Sequence, residues 1–178
     1  KRLCWESEWV SACEGPAKLP FPYGQERSKK HCNIDNPWRQ PSLKKAYSKN
    51  PAVQDRELRR LDQSIPSGSM ESCKSGYGVY DLTGNFDEWV MIEYARGRST
   101  WSGLKGGAWG HVRNACRPTT TSHVPSFRYY FISFRCCQDP RPAASSPQGS
   151  QAPAWKAPPF VPPPPLGGKI KRGWTPTP

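Results

Sequence analysis

A long hydrophobic run is the first thing that the sequence lacks. None of its 178 residues lies in an apolar stretch of about 18, the length that a transmembrane helix needs, so we predict no membrane span. Hydrophobic residues make up 35% of the chain, and the mean hydropathy of −0.81 is low for a globular protein. The length is nevertheless sufficient for one domain with a buried core.

Acidic residues are absent from the last 38 residues, 141–178, which contain 11 prolines and five basic residues. Such a composition cannot bury enough apolar surface to offset the entropy of ordering the chain. We therefore predict a disordered, Pro-rich tail at 141–178 and a globular part at 1–140. Residues 156–165, KAPPFVPPPP, have the spacing of a polyproline II ligand, although Pro-rich tails more often serve as spacers.

The 26 basic residues outnumber the 14 acidic ones, and the net charge is +12. A basic surface can attract nucleic acid or anionic lipid. The bases are scattered, as in RELRR and ERSKKH, and neither a basic helix nor an RNA-binding signature is present. The sequence therefore favours a solvated basic surface, and we expect no nucleic-acid partner.

Cysteine pairs of the metal-binding type are also missing. The seven cysteines include no CxxC pair, and the adjacent Cys136 and Cys137 make a poor zinc pattern. Three disulfides and one odd thiol are the simplest interpretation, with metal ligation and buried free thiols as alternatives. Disulfides predict an extracytoplasmic location: secreted, periplasmic or lipoprotein. No signal peptide is visible, but the chain starts at Lys1, so we expect the true N-terminus to be missing.

Several segments have recognisable local patterns. Residues 5–14 place Trp5, Trp9 and Cys13 at helical spacing, and Gly15 with the following proline ends that helix. A second short helix is predicted at residues 54–63. Residues 101–110 are a glycine-punctuated loop with a short strand, and residues 126–137 are aromatic and β-prone, which predicts a terminal strand. The result is an irregular, loop-rich α+β fold.

Residues 78–89, GVYDLTGNFDEW, contain the most specific pattern, which fits G-x-Y-D-x-x-G-N-x-x-E-W. Six further blocks occur in order: RL with ESEWVSAC, FPYG, CNI, LKGGAWG, RNACR and SFRCC. In these seven blocks the sequence resembles the sulfatase-modifying factor domain, the family of the formylglycine-generating enzymes. The resemblance implies an irregular α+β fold related to C-type-lectin-like folds. The part of the family domain that precedes the RL block is missing here.

The resemblance also implies calcium. In the family the GVYDLTGNFDEW block is a calcium loop, and hard cations prefer carboxylate, amide and carbonyl oxygens. By position, Asp81 and Glu88 would give side-chain oxygens, and Gly84 and Phe86 would give carbonyls. A second site would use the Asn33 side chain and the Ile34 carbonyl; its remaining acid stays open between Asp55 and Asp62. The alternative is that Asp81, Asn85 and Glu88 cap turns and bind backbone groups.

The catalytic groups of the family are not visible in the sequence. The resemblance implies two copper-binding cysteines after the Gly-Gly block, because soft thiolates suit Cu(I). The matching interval, residues 108–112, contains no cysteine, and Cys116 is a poor substitute. A related branch uses three histidines to bind iron. The three histidines here, His31, His111 and His123, lack that spacing, although His111 and His123 could approach each other beside a carboxylate. We expect neither copper nor iron.

The resemblance also suggests disulfide pairing and a ligand site. It implies a bridge between Cys13 and Cys136, whereas a pairing of Cys4 with Cys137 is suggested without family support, and the other pairings stay open. The candidate residues of a ligand cleft are Trp109, His111, Arg113, Arg117 and His123. The alternative for Trp109 and Arg117 is a core position, with Arg117 as a buried ion-pair partner of Asp87 or Glu88.

The favoured function is a non-catalytic, calcium- and disulfide-stabilised domain of the kind found in bacterial extracytoplasmic proteins, which binds a peptide or protein ligand. The alternative function is a copper- or iron-dependent oxidoreductase of the formylglycine-generating type that acts on thiols. The oligomeric state is not readable from the sequence.

Overall fold

Short helices and strands separated by long loops make up the domain, and the computed structural model describes residues 1–111 and 113–139. The predicted Pro-rich tail at 141–178 lies outside the described residues. Among the described residues no helix is both long and apolar enough to cross a bilayer. The helices and strands are β1 (Arg2–Leu3), α1 (Glu6–Glu14), α2 (Leu43–Ala46), α3 (Pro51–Leu61), β2 (Asp87–Met91), β3 (Ser102–Lys105), β4 (Ile132–Phe134) and β5 (Cys136–Cys137).

Two small sheets organise the chain. In one, β1 pairs antiparallel with β5, so that Leu3 lies opposite Cys136. In the other, the strand order is β3-β2-β4: β3 is antiparallel to β2, and β4 is parallel to it. The central position of β2 explains its burial, since Asp87, Glu88 and Val90 are all buried. The mixture of helices and small sheets is the α+β content that the sequence predicts.

Helix α1 packs its inner face on the central sheet. Trp9 and Cys13 are 1% and 0% exposed, and the Trp9 indole Nε1 donates a hydrogen bond to Glu88 Oε2 over 2.8 Å. At the start of the helix, the Glu8 carboxylate accepts the Trp5 backbone N–H over 2.8 Å, which satisfies one of the donors that a helix N-terminus leaves unpaired. Helix α1 and β2 are therefore joined through the side chain of Glu88.

Three disulfides cross the core. They join Cys4 to Cys137, Cys13 to Cys116 and Cys32 to Cys73, and the suggested pairing of Cys4 with Cys137 is confirmed. The predicted bridge between Cys13 and Cys136 is wrong, because Cys136 is an exposed free thiol. The reason is that neighbouring residues of a strand point to opposite faces. On β5, Cys137 faces the buried Cys4 and Cys136 faces outward, which leaves Cys13 to Cys116.

The bridges close long loops. Their partners are 133, 103 and 41 residues apart in sequence. In the chain-entropy model a loop of about 100 residues gives roughly 5 kcal/mol of stabilisation. Two of the bridges lie in the core cluster that contains Trp9, Leu82 and Val90. The third lies with Ile34 in a separate cluster.

Gly84 holds two of the sequence blocks together. Its φ is +79°, and a Cβ atom there would lie 2.3 Å from the backbone oxygen of Asn33. No other residue fits this close approach without moving the backbone. The neighbouring Asn85 N–H donates to the same Asn33 oxygen over 2.9 Å. The CNI block therefore packs directly on the turn of the GVYDLTGNFDEW block.

Candidate functional site

The loop that follows β3 encloses a small cavity at the end of the central sheet. Gly106 and Gly107 have φ values of +85° and +68°, and this left-handed backbone turns the chain sharply away from the strand. The cavity has a volume of about 10 Å³. Its lining residues come from β2, from β3, from this loop and from the segment after Cys116: Asp87, Leu104, Gly106, Gly107, His111, Arg113, Pro118 and Thr120.

A histidine and a carboxylate meet in this cavity. Asp87, which is 5% exposed, accepts the Gly107 N–H at Oδ1 over 3.0 Å. Its Oδ2 lies 3.2 Å from Nδ1 of His111, and the Ala108 N–H donates to the same Nδ1 over 3.2 Å. The His111 ring also packs edge-on against Phe131, with 4.5 Å between ring centroids. Ala108 and Phe131 therefore hold the His111 ring in place, with its Nδ1 facing Asp87.

Two of the five predicted cleft residues line this cavity, and a third lies near them. His111 and Arg113 line it, and His123 lies close enough for their charges to act on it. Burial lowers the pKa of His123; Asp87 raises it, and Arg113, Arg98 and His111 lower it further. The His123 ring stacks on Phe127 at 3.9 Å between centroids with an interplanar angle of 6°.

The other two predicted cleft residues lie elsewhere. Trp109 is 3% exposed and packs in a core cluster with Ala108 and Phe131. Arg117 is exposed and its guanidinium pairs with Glu14 of α1. The expectation that Arg117 is a buried partner of Asp87 or Glu88 is wrong, because the chain after Cys116 is drawn towards α1 by the bridge from Cys116 to Cys13.

An aromatic face adjoins the cavity. Phe127 stacks on Tyr129 at 5.9 Å, and Tyr129 packs against Phe131 at 4.8 Å. The Tyr47 hydroxyl donates to the Arg128 backbone oxygen over 3.1 Å. Trp38 lies beside Gly110 of the cavity loop: a Cβ atom at Gly110 would lie 3.9 Å from the Trp38 ring. We define the aromatic face as Trp38, Tyr47, His123, Phe127 and Tyr129; Trp38 and Tyr47 are 56% and 59% exposed.

Arg27 binds the cavity loop through its guanidinium. No sequence pattern predicts this role. Its Nη2 donates to the His111 backbone oxygen over 2.9 Å, to Asn114 Oδ1 over 2.8 Å and to Asp35 Oδ1 over 2.6 Å. The bonds to His111 and Asn114 join residues 84 and 87 positions apart, whereas Asp35 lies 8 positions away. No local pattern could have revealed Arg27, because its partners are all distant in sequence or in a different loop.

Part of the predicted calcium set lines a second cavity, of about 320 Å³, which contains Asp81, Phe86 and Glu88. Arg135 donates to both oxygens of Glu88, from Nε over 2.7 Å and from Nη2 over 2.8 Å. Asp81 Oδ2 accepts the Ser67 hydroxyl over 2.9 Å and the Gly68 N–H over 2.7 Å. The Glu88 charge is therefore already neutralised by a guanidinium.

The second predicted calcium set is bound to other protein groups. Asn33 donates to the Gln63 oxygen over 2.9 Å, and its Oδ1 accepts Asn36 Nδ2 over 2.8 Å. Ile34 is buried in the cluster around Cys32 and Cys73. Of the two open acids, Asp55 pairs with Arg59 on α3, and Asp62 Oδ1 accepts the Ser64 N–H. Within residues 1–111 and 113–139, no three His, Cys, Asp or Glu side chains form a metal-binding group.

Comparison with known proteins identifies the family. The family model of the sulfatase-modifying factor enzyme 1-like domain matches residues 1–140. The chain belongs to this family. The matched range contains the three disulfides, the two small sheets and α1.

A solved structure has the same fold. The crystal structure of CarF superposes with a TM-score of 0.51 and 20% sequence identity. The match covers 75% of this chain and 45% of CarF, so the chain spans less than half of that protein. At this identity the likeness supports the sulfatase-modifying factor fold alone, and the relation to C-type-lectin-like folds stays a prediction.

The cysteines bear directly on the chemistry of this sulfatase-modifying factor domain. All seven lie in the described residues, and six of them are bridged. The remaining thiol, Cys136, is on β5. The interval in which the resemblance implies two thiolates is occupied by Ala108, the buried Trp109 and His111.

Proposed function

We propose that this domain is a non-catalytic, disulfide-stabilised member of its family that binds a peptide or protein ligand on the aromatic face. The observation that supports the absence of formylglycine chemistry is the state of the cysteines. With six of seven in bridges, one thiol is left, and a copper site of two thiolates needs a second. His111, whose Nδ1 faces Asp87, lies in the interval in which the resemblance implies the copper cysteines.

The aromatic face supports a ligand-binding role. Trp38 and Tyr47 are more than half exposed. The rings of His123, Phe127 and Tyr129 stack on one another, and the Tyr47 hydroxyl reaches the backbone between the last two at Arg128. Exposed aromatic side chains supply large contact area with little loss of side-chain freedom, which is why they are enriched in binding surfaces. A peptide is the natural ligand class, since catalytic relatives hold extended peptide substrates.

An extracytoplasmic location fits the bridges. Three disulfides are compatible with an oxidising compartment and would be reduced in most cytosols. We propose secretion, export to a periplasm or attachment as a lipoprotein, in a bacterial setting, as the resemblance implies.

A thiol count tests the non-catalytic proposal. The protein is alkylated with and without prior reduction, in the presence and absence of Cu(I), and measured by intact mass. We expect one alkylated thiol before reduction, no change with Cu(I), and none in Cys136→Ser. Two or more thiols that Cu(I) protects would contradict the proposal and favour the oxidoreductase.

We propose calcium as a weak stabiliser of the loop around the second cavity. Asp81, Glu88 and the carbonyls of Gly84 and Phe86 are the groups that would hold it, and calcium would supply a charge that draws these oxygens together. The fit is incomplete, because Arg135 already occupies Glu88. We therefore expect a dissociation constant in the range of about 10⁻⁴ to 10⁻³ M, as in extracellular calcium modules.

Isothermal titration of chelator-treated protein with calcium tests this proposal. The expected result is a weak exothermic or endothermic heat that is lost in Asp81→Asn and retained in Asp55→Asn, whose carboxylate is already paired with Arg59. The absence of both heat and a melting shift in the unaltered chain would mean that the loop is stabilised by protein groups alone.

A further inference from the structure

We propose that the ligand is an acidic peptide whose carboxylates bind between Arg98 and Arg113 at the rim of the cavity above Asp87 and His111. This inference rests on the proposed peptide-binding function and specifies the chemistry of the ligand. Its basis is the ion pairing of the basic side chains between Glu93 and Asp139, some of which pair with acids and some of which do not.

The charge around the cavity is of one sign. Between Glu93 and Asp139 the chain contains seven basic residues and no acidic one. This segment supplies β3, the cavity loop and most of the aromatic face. The bases are Arg96, Arg98, Lys105, Arg113, Arg117, Arg128 and Arg135.

Four of these bases are held by acids from other parts of the domain. Arg96 and Lys105 lie against Glu6, Arg117 pairs with Glu14, and Arg135 pairs with Glu88. These carboxylates come from α1 and β2, so the four pairs are part of the structure of the domain.

The other three bases are Arg98, Arg113 and Arg128, and all three are exposed. In the portion of the chain that the structure describes, none of them makes an ion pair. Arg128 lies between Phe127 and Tyr129 of the aromatic face, and its backbone oxygen accepts the Tyr47 hydroxyl. The unpaired positive charge of this half of the domain is therefore concentrated at the cavity and on the aromatic face.

Backbone contacts hold Arg98 against Thr121, the neighbour of Thr120, which lines the cavity. The Arg98 N–H donates to the Thr121 oxygen over 2.7 Å, and a Cβ on Gly97 would lie 2.5 Å from that same oxygen. The turn around Arg98 therefore packs directly on the chain segment that leads to His123. Arg113 approaches from the cavity loop, and the charges of both guanidiniums act on His123.

Asp87 does not cancel this charge at the surface. It is 5% exposed, and its two oxygens face the Gly107 N–H and His111. Because the cavity is only about 10 Å³, a ligand carboxylate would lie on the rim and not inside it. Arginine binds carboxylates through two parallel hydrogen bonds, and two unpaired arginines beside exposed rings suit a peptide that combines acidic and aromatic or aliphatic residues.

A peptide selection tests the inference. A phage-displayed library of random dodecapeptides is selected on the folded full chain and counter-selected on reduced, unfolded chain. We expect the enriched peptides to carry an excess of Asp and Glu. For a synthetic peptide of the enriched sequence, we expect Arg98→Gln/Arg113→Gln to weaken binding by about tenfold or more, since truncating one partner of a charge pair reduces affinity strongly.

The matched control is Lys29→Gln/Lys30→Gln, which removes the same charge from two exposed lysines of another loop. We expect this variant to bind within about twofold of the unaltered protein, and near-UV circular dichroism verifies that both variants fold. An equal loss in both variants would overturn the inference, because it would indicate general charge attraction.

The outcomes separate the two proposals. Enrichment of neutral or basic peptides that compete for the aromatic face would overturn the acidic-ligand inference and leave peptide binding standing. No enrichment on folded chain over unfolded chain would overturn peptide binding and the acidic-ligand inference with it.

Discussion

Lys105 is a charged side chain in a fully buried place, with 0% exposure. Its Nζ donates to the Arg117 oxygen over 2.9 Å and to Thr119 Oγ1 over 3.1 Å. The Trp9 ring lies 5.1 Å away and Glu6 3.9 Å away. Burial lowers the pKa of Lys105 to about 8, from 10.5 in an unfolded chain. Folding therefore opposes the charged form of this lysine.

This lowered pKa predicts a rise in stability with pH. Between pH 8 and 10.5 the unfolded chain holds more protons on Lys105 than the folded chain does, so the free energy of unfolding rises with pH across that window. The slope is up to about 1.4 kcal/mol per pH unit. In urea unfolding between pH 7 and 9.5, we expect Lys105→Met to lose this slope and the exposed Lys49→Met to keep it. Identical slopes in both variants would contradict a buried, titrating Lys105.

Arg135 determines whether the Glu88 carboxylate is available to a cation or is held in an ion pair. The Glu88 side chain is 9% exposed and the Arg135 side chain 25%, so the removal of Arg135 leaves a nearly buried carboxylate without its partner. We expect Arg135→Gln to lower the free energy of unfolding by about 2–4 kcal/mol. The loss of stability is measured by thermal melting of both proteins, with and without calcium.

The same variant distinguishes the ion pair of Glu88 with Arg135 from calcium binding by Glu88. Because Arg135→Gln removes the guanidinium from Glu88 and leaves the Trp9 indole as the donor to Oε2, calcium should restore more of the lost melting temperature than it adds to the unaltered protein. If calcium stabilises both proteins equally, Glu88 takes no part in binding it. Arg128→Gln, which removes an exposed, unpaired guanidinium, is the control for charge.

At the scale of elements, α2 and α3 form a helical pair that depends on one buried acid. Glu57 of α3 is 4% exposed. It accepts two hydrogen bonds from Arg60, over 2.7 and 3.0 Å, and one from the Ser42 N–H just before α2, over 2.8 Å. Arg60 and then the Ser42 N–H lower the pKa of Glu57 to about 2. Glu57 therefore fastens the two helices to each other.

This acid predicts the course of acid unfolding. The ionised Glu57 stabilises the fold fully above pH 4.5, its ordinary pKa, and the stabilisation is lost as the pH falls through the folded pKa of about 2. We expect the melting temperature of Glu57→Gln to lie below that of the unaltered protein at pH 6, and the two to converge between pH 4.5 and 2. Asp55→Asn, in an exposed pair with Arg59, should show no such convergence.

The elements also show what sequence patterns can predict. The spacing of Trp9 and Cys13 gives α1 correctly, at Glu6–Glu14. Helix α3 begins before the predicted residue 54, because Asn50 caps it and Pro51 takes its first position, a start signal that periodicity alone overlooks. Helix α2 has four residues, too few for any period.

Strand prediction fails where rings pack on one another. Residues 126–131 have the composition of a strand, yet β4 starts at Ile132. The aromatic side chains of Phe127, Tyr129 and Phe131 stack mutually, and this packing replaces pairing with a neighbouring strand. The propensity of a residue for β-structure reflects how well its side chain fits a sheet surface, so the packing environment can override it.

The candidate site was partly predictable. His111, Arg113 and His123 lie in one region of the sequence and meet around one cavity. Trp38 and Tyr47 come from far earlier in the chain, and the pairing of Cys13 with Cys116 depends on which face of β5 meets β1. Contacts of this kind are set by the register of distant strands, which composition and spacing do not encode.

At the scale of the whole molecule, the first and last strands of the domain are bound to each other. β1 pairs with β5, Cys4 is bridged to Cys137, and Arg2 forms an ion pair with Asp139 over 2.7 Å. The chain enters and leaves the domain at a single edge, and a covalent bond spans that edge.

Because the two ends of the domain are covalently joined, a pulling force on the chain does not pass through the folded domain. When the protein is pulled from residues 1 and 139, tension runs through the bond between Cys4 and Cys137, and the sheets and the aromatic face between them carry none of it. In single-molecule stretching we expect no unfolding step in the oxidised protein below the forces that break covalent bonds. The bridge between Cys4 and Cys137 closes a loop of 133 residues. If all three bridges are reduced, this loop can extend, and we expect the chain to lengthen by roughly 450 Å. A ligand held on the aromatic face would therefore stay bound while the chain around the domain is under strain.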